Sequence, residues 1–92
     1  MESLDFDTAI AAGGWDARFA RILDIATLDD WAAVLVDPNG DGADLNLDLY
    51  RRLDGTWVEM LSGNGAVFLD DVYATWDDEQ RVVLAYNKPS PI

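Results

Sequence analysis

An α+β domain is the fold class the sequence predicts: a short N-terminal helix packed on an antiparallel β-meander of about five or six strands. Three observations carry it. An early apolar stretch stops at Gly13-Gly14, most of the remaining chain alternates between apolar and polar residues, and turn-forming pairs recur at short intervals. The alternative is an all-β small barrel in which the first segment is only a helical plug. With 92 residues the chain is read as one small acidic domain, 1–92, because so short a chain cannot divide its apolar residues between two cores.

The first element is helical. Ser3 or Asp5 can cap a turn or two of helix running through Ala12, with Leu4, Phe6, Ala9 and Ile10 on the apolar side, and Gly13-Gly14 ends it. From Trp15 the period becomes close to two: Trp15, Ala17, Phe19, Arg21, Leu23 and Ile25 alternate with Asp16, Arg18, Ala20, Ile22 and Asp24. A helix over 15–24 is the competing reading of that imperfect pattern. The run WAAVLV at 31–36 is short enough for a buried strand. Leu45, Leu47 and Leu49 then alternate with Asp44, Asn46, Asp48 and Tyr50, which predicts one core face and one wet face. Leu53-Asp54-Gly55-Thr56 and Ser62-Gly63-Asn64-Gly65 are turns, so TWVEML and AVFLDDVYATW are strands, and Asp77-Asp78-Glu79-Gln80 turns the chain into RVVLAYN.

Charge narrows the function classes. The formal net charge is −12, with fifteen of the eighteen acids aspartate against five arginines and one lysine. Such a surface repels nucleic acid and anionic membranes and attracts basic proteins or divalent cations. A salt-rich cytoplasm or an aspartate-rich proteome would produce the same composition without any partner. Cysteine and histidine are absent, which removes disulfides, thiolate metal sites and the usual general base. The stretch MESLDFDTAI is acidic where a secretory signal is basic, and no apolar run has the length of a membrane span, so a cytoplasmic location is expected.

Residues 37–48, DPNGDGADLNLD, raise the question of a cation. Aligned to an EF-hand loop, Asp37, Asn39 and Asp41 occupy positions one, three and five, and Gly42 occupies the sharp-turn position six. Position twelve is Asp48 where glutamate is usual, and the flanking segments read as strands instead of helices. The stretch also resembles the DxNGDG calcium loops between strands of FG-GAP repeats in integrin-like propellers. That resemblance covers Asp37 through Leu45, and the later aspartate of the pattern falls one residue early, at Asp44. It implies a weak calcium site on Asp37, Asn39 and Asp41, and no other cofactor is expected. The simpler reading is a hairpin connection in which Asn39-Gly40 or Asp41-Gly42 supplies the positive-φ residues.

Catalysis is not expected, since no nucleophile elbow, phosphate loop or dinucleotide fingerprint is present, and paired carboxylates would need a cleft that so small a core seldom forms. Binding is the stronger class. On a strand, alternate residues stand about 6.7 Å apart, so Asp44, Asn46 and Asp48 would form an outward row ending at Tyr50. Asp70-Asp71 and Asp77-Asp78-Glu79 make a second acidic group, and Trp76, just before the latter, is a candidate anchor. Trp31 and Trp57 read as core, and Arg51-Arg52 puts one arginine on each strand face. The expectation is a non-enzymatic acidic interaction protein with a basic protein partner, binding through Asp44, Asp48, Tyr50, Asp70, Asp71, Trp76, Asp77, Asp78 and Glu79. In size and charge alone it is similar to phage-encoded inhibitors of bacterial defence systems and to immunity proteins against toxic nucleases, which implies an inhibitor placing carboxylates where nucleic-acid phosphates would lie. A small calcium-responsive domain using the 37–48 loop is the alternative.

Overall fold

The computed structural model describes residues 6–87, with side chains described from Thr8 onward. The proposed caps Ser3 and Asp5, with Leu4, lie outside the described residues. Helix α1 spans Phe6–Gly13. Strands β1 (Arg21–Leu28), β2 (Trp31–Asp37), β3 (Asn46–Leu53) and β4 (Thr56–Gly63) form a four-stranded antiparallel meander, and β5 (Val67–Leu69), β6 (Val72–Trp76) and β7 (Val82–Tyr86) form a separate three-stranded antiparallel sheet. The single meander of the sequence reading is therefore two sheets, and they do not close into a barrel.

The larger sheet is the middle layer. Its odd-numbered β2 and β3 residues, Trp31, Ala33, Leu35, Leu47 and Leu49, pack with Val67, Val72 and Ala74 of the smaller sheet. Its other face sends Ile22, Val34 and Val36 against Ala9 of α1 and Ala20, with Ile10 and Trp15 alongside. This is why 31–36 is a continuous apolar run: every residue of β2 is buried, covered by α1 on one face and by β5–β7 on the other.

Turn chemistry accounts for the hairpins. Asp54-Gly55 joins paired Leu53 and Thr56, with φ of 52° and 79°, the primed turn expected of that dipeptide. Two more two-residue turns consist of paired aspartates. Asp29-Asp30 joins Leu28 to Trp31, and Asp70-Asp71 joins Leu69 to Val72, with Asp29 at φ 54° and Asp70 at φ 53°. Aspartate tolerates the left-handed region better than most residues, which permits both turns without glycine. The second breaks the expected 66–76 strand in two. The segment 15–20 is neither the expected strand nor a helix: Phe19 and Ala20 both donate to Asp16 O in a local turn, and β1 starts only at Arg21.

Candidate functional site

The strand pattern over 44–50 has the expected parity but not the expected solvent face. Leu47 and Leu49 face the smaller sheet, while Asp48 and Tyr50 face the helix side, and both are 0% exposed. Asp48 is therefore not a partner-binding residue on an outward row, and neither is Tyr50. Around the Asp48 carboxylate, Trp15 Nε1 donates to Oδ2 at 2.6 Å, Asn46 Nδ2 and Ser62 Oγ donate to Oδ1 at 2.9 and 2.8 Å, and the Tyr50 hydroxyl donates to Oδ2 at 3.4 Å. Four donors make a buried charge tolerable where an unpaired one would not be. The polar residues of β3 form an internal network, which alternation alone could not distinguish from a wet face. Asp44, before the strand begins, is exposed as expected.

The second acidic group also divides. Asp70-Asp71 and Asp77-Asp78-Glu79 lie at opposite ends of β6, whose five residues span about 17 Å, so they form no single patch. Asp77 is engaged locally: its Oδ1 accepts from Glu79 N and Arg81 N at 2.9 and 3.0 Å, closing the β6–β7 turn. Trp76 is not an exposed anchor, because its place in β6 packs it against the inter-sheet core. Asp78 and Glu79 are exposed, and Glu79 forms a long ion pair with Arg81 at 3.6 Å.

What the fold brings together instead are the two Asp-Asp turns. Both lie at one end of the sandwich because β7 runs along β1: Val82 N donates to Asp24 Oδ2 at 2.8 Å near one end, and the Tyr86 hydroxyl donates to Asp29 at the other. The pocket there, about 290 Å³, is lined by Asp29, Asp30, Trp31, Arg51, Asp71 and Tyr86. Three carboxylates thus face one guanidinium, and that guanidinium lies 5.2 Å over the Trp31 ring. Asp30 accepts from Arg52 at 2.8 Å, and Arg52 in turn lies 5.3 Å over Trp57. This answers how Arg51 and Arg52, on opposite faces of β3, are accommodated: each rests on a tryptophan.

The carboxylates at the pocket act on Tyr86. The hydrogen bond to Asp29, then desolvation and the fields of Asp29, Asp71 and Asp30, raise the Tyr86 hydroxyl above its ordinary pKa, so at neutral pH it remains a proton donor. The pocket volume sits at the bottom of the roughly 300–1,000 Å³ range of small-molecule sites, the scale of one long side chain more than of a cofactor. Of these lining residues the sequence reading named only Asp71 as a site. Asp29, Asp30, Arg51 and Tyr86 were missed as site residues, although the repeated Leu-Asp-Asp at 28–30 and 69–71 was a usable signal.

Residues 37–45 do form the expected β2–β3 hairpin connection, with Val36 paired to Asn46 and with Gly40 and Gly42 at φ 68° and 74°. Its flanks are strands, unlike those of an EF-hand. Among the described residues no group of three or more Asp or Glu side chains is gathered to hold a metal ion, and no helix is long and apolar enough to cross a membrane. Comparison of the chain with protein-family models, with curated proteins and with solved structures gives no match.

Proposed function

We propose that the chain is a non-enzymatic acidic interaction protein that inhibits a partner by occupying its basic, nucleic-acid-binding surface. The observation that carries this reading is the convergence of Asp29, Asp30 and Asp71 on one pocket beside Tyr86 and Trp31. A lysine or arginine of the partner would enter there, its charge against the Asp29 and Asp71 carboxylates and its apolar stem beside the exposed Tyr86 ring. The remaining exposed aspartates, Asp44, Asp70 and Asp78 among them, act at longer range: they speed encounter with a basic surface and repel nucleic acid itself. The absence of histidine and cysteine supports a binding role over a catalytic one.

The reading is tested by fluorescence anisotropy with labelled arginine-rich and lysine-rich peptides, using the native chain and Asp29→Asn/Asp71→Asn. Binding that weakens at least tenfold in the double variant, and no more than twofold in Asp77→Asn/Asp78→Asn, supports a pocket-centred site. Equal weakening in both variants would reduce the effect to net charge and remove the pocket from the account.

A further inference from the structure

We infer that the outer face of the β5–β7 sheet docks an amphipathic helix of a partner protein, about three turns long and basic at both ends. Val67, Val72, Ala74, Val82 and Leu84 pack toward the larger sheet. Strand parity therefore turns Phe68, Tyr73, Thr75, Val83 and Ala85 outward. None of the five carries a charge, in a chain whose formal net charge is −12. Register joins them into one surface: Phe68 pairs with Tyr73 and Tyr73 with Ala85, while Thr75 pairs with Val83. The Phe68 and Tyr73 rings stack with centroids 6.1 Å apart, yet Phe68 remains 61% and Val83 39% exposed. An apolar patch open to water and rimmed by polar residues marks an interaction surface.

The rim of the face selects its occupant. The Asp70-Asp71 turn closes one end, and the turn with Asp77, Asp78 and Glu79 closes the other. Arg81 offsets one of those three acids, which leaves both ends net negative. The ends stand about 17 Å apart along β6, the rise of about eleven helical residues, and the outer two of the three strands are about 10 Å apart, one helix diameter. Lysines or arginines at both ends of such a helix meet acids at both, while its apolar stripe covers Phe68, Tyr73 and Val83. A second copy of this chain fits poorly, because aligned face-to-face pairing sets the acidic turns of one copy against those of the other. Nucleic-acid bases could stack on the aromatic pair, but their phosphates would meet the same acids. The inference does not rest on the acidic pocket, which lies on the inward side of this sheet, where Tyr86 pairs with Val72.

Fluorescence anisotropy tests it with a labelled amphipathic peptide of leucine, alanine and lysine, its terminal lysines about eleven residues apart. A scrambled peptide of the same composition is the control. The native chain should bind the ordered peptide at least fivefold more tightly than the scrambled one. That preference should vanish in Phe68→Ser/Val83→Ser, both at exposed positions, and survive in the pocket variant Asp29→Asn. Should the double variant lose its native circular dichroism, amide shifts of the native chain serve instead, and they should concentrate at residues 68, 73, 75, 83 and 85. Equal binding of the scrambled peptide would reduce the effect to charge, and shifts confined to 29–31 and 86 would move the peptide to the pocket; either result overturns the docking face. So would a dimer of the native chain in sedimentation, or its capture on phosphatidylcholine vesicles, that Phe68→Ser abolishes, since the face would then belong to a second copy or to a membrane.

Discussion

Trp15 Nε1 donates to Asp48 Oδ2 at 2.6 Å, a bond across 33 residues of sequence that joins the loop after α1 to the buried face of β3. It fixes how the helical layer sits on the larger sheet. Removing the donor while keeping an aromatic ring isolates its contribution. Trp15→Phe should cost about 1–3 kcal/mol, the penalty of leaving a buried acceptor short of a partner. Urea unfolding measures it, and a loss under about 0.5 kcal/mol, the low end for one net hydrogen bond, would show that Asp48 is content with its remaining donors.

Gly13 lies under the same contact. A Cβ there would stand 2.5 Å from Trp15 Nε1 and 2.9 Å from Asp48 Oδ2. Helix propensity alone favours alanine over glycine by about 1 kcal/mol, so propensity and sterics predict opposite signs for Gly13→Ala. The clash wins because its neighbours belong to a packed network. The variant should unfold at lower urea than the native chain, and a rise in stability would mean that Trp15 moves aside freely.

Asp44 and Asp48, four residues apart, should respond oppositely to charge reversal. Asp44→Lys changes an exposed position and should stay within about 0.5 kcal/mol of the native chain. Asp48→Lys aims an ammonium at the N–H and O–H donors that now serve the carboxylate, with a loss of about 5 kcal/mol or more, comparable to the whole stability of a small domain. Circular dichroism at room temperature should show Asp44→Lys folded and Asp48→Lys unfolded.

That pair also shows what the sequence could and could not tell. The hydrophobic period placed the leucines of β3 on one face correctly, and Asp54-Gly55 announced its turn, because both signals are local. The polar residues on the opposite face looked wet because alternation reports which residues share a face, not what covers that face. The cover is α1 with Trp15, which reach Asp48 only through tertiary packing. Likewise, the division of the expected 66–76 strand into β5 and β6 depended on Asp70 adopting φ 53°, a conformation for which glycine is the usual advertisement. The repeated Leu-Asp-Asp at 28–30 and 69–71 was legible, but its convergence on one pocket was not. Asp29 and Asp71 are brought to one end only by the run of β7 alongside β1.

Acid and alkali should act through different groups. Desolvation first, and the Asp48 charge second, raise the Glu59 carboxyl above its ordinary value. The folded state then binds that proton more readily than the unfolded chain, so this group favours folding as pH falls through its raised pKa and opposes it at neutral pH. Glu59→Gln should therefore be stabilising at neutral pH, by about 0.5 kcal/mol or less given its exposure, with the gain disappearing once the native carboxyl is protonated in acid. Burial, the charges of Asp48 and Glu59, and the bond to Asp48 all raise the Tyr50 hydroxyl above its ordinary 10.0. The unfolded chain loses the Tyr50 proton first, so stability should fall steeply above about pH 10, the ordinary tyrosine value. Tyr50→Phe, which cannot ionise, should flatten that fall, and an unchanged alkaline slope would assign it elsewhere.

That one acidic pocket receives a basic side chain, in preference to the charged surface as a whole, is best tested by amide chemical-shift mapping with an unlabelled arginine-containing peptide. Saturable shifts should concentrate at residues 29–31, 51, 71 and 86, and their midpoint should weaken at least tenfold in Asp29→Asn/Asp71→Asn. Shifts spread over the turns at 41–44 and 77–79 in proportion to their charge, and unchanged in the double variant, would contradict a pocket-centred site.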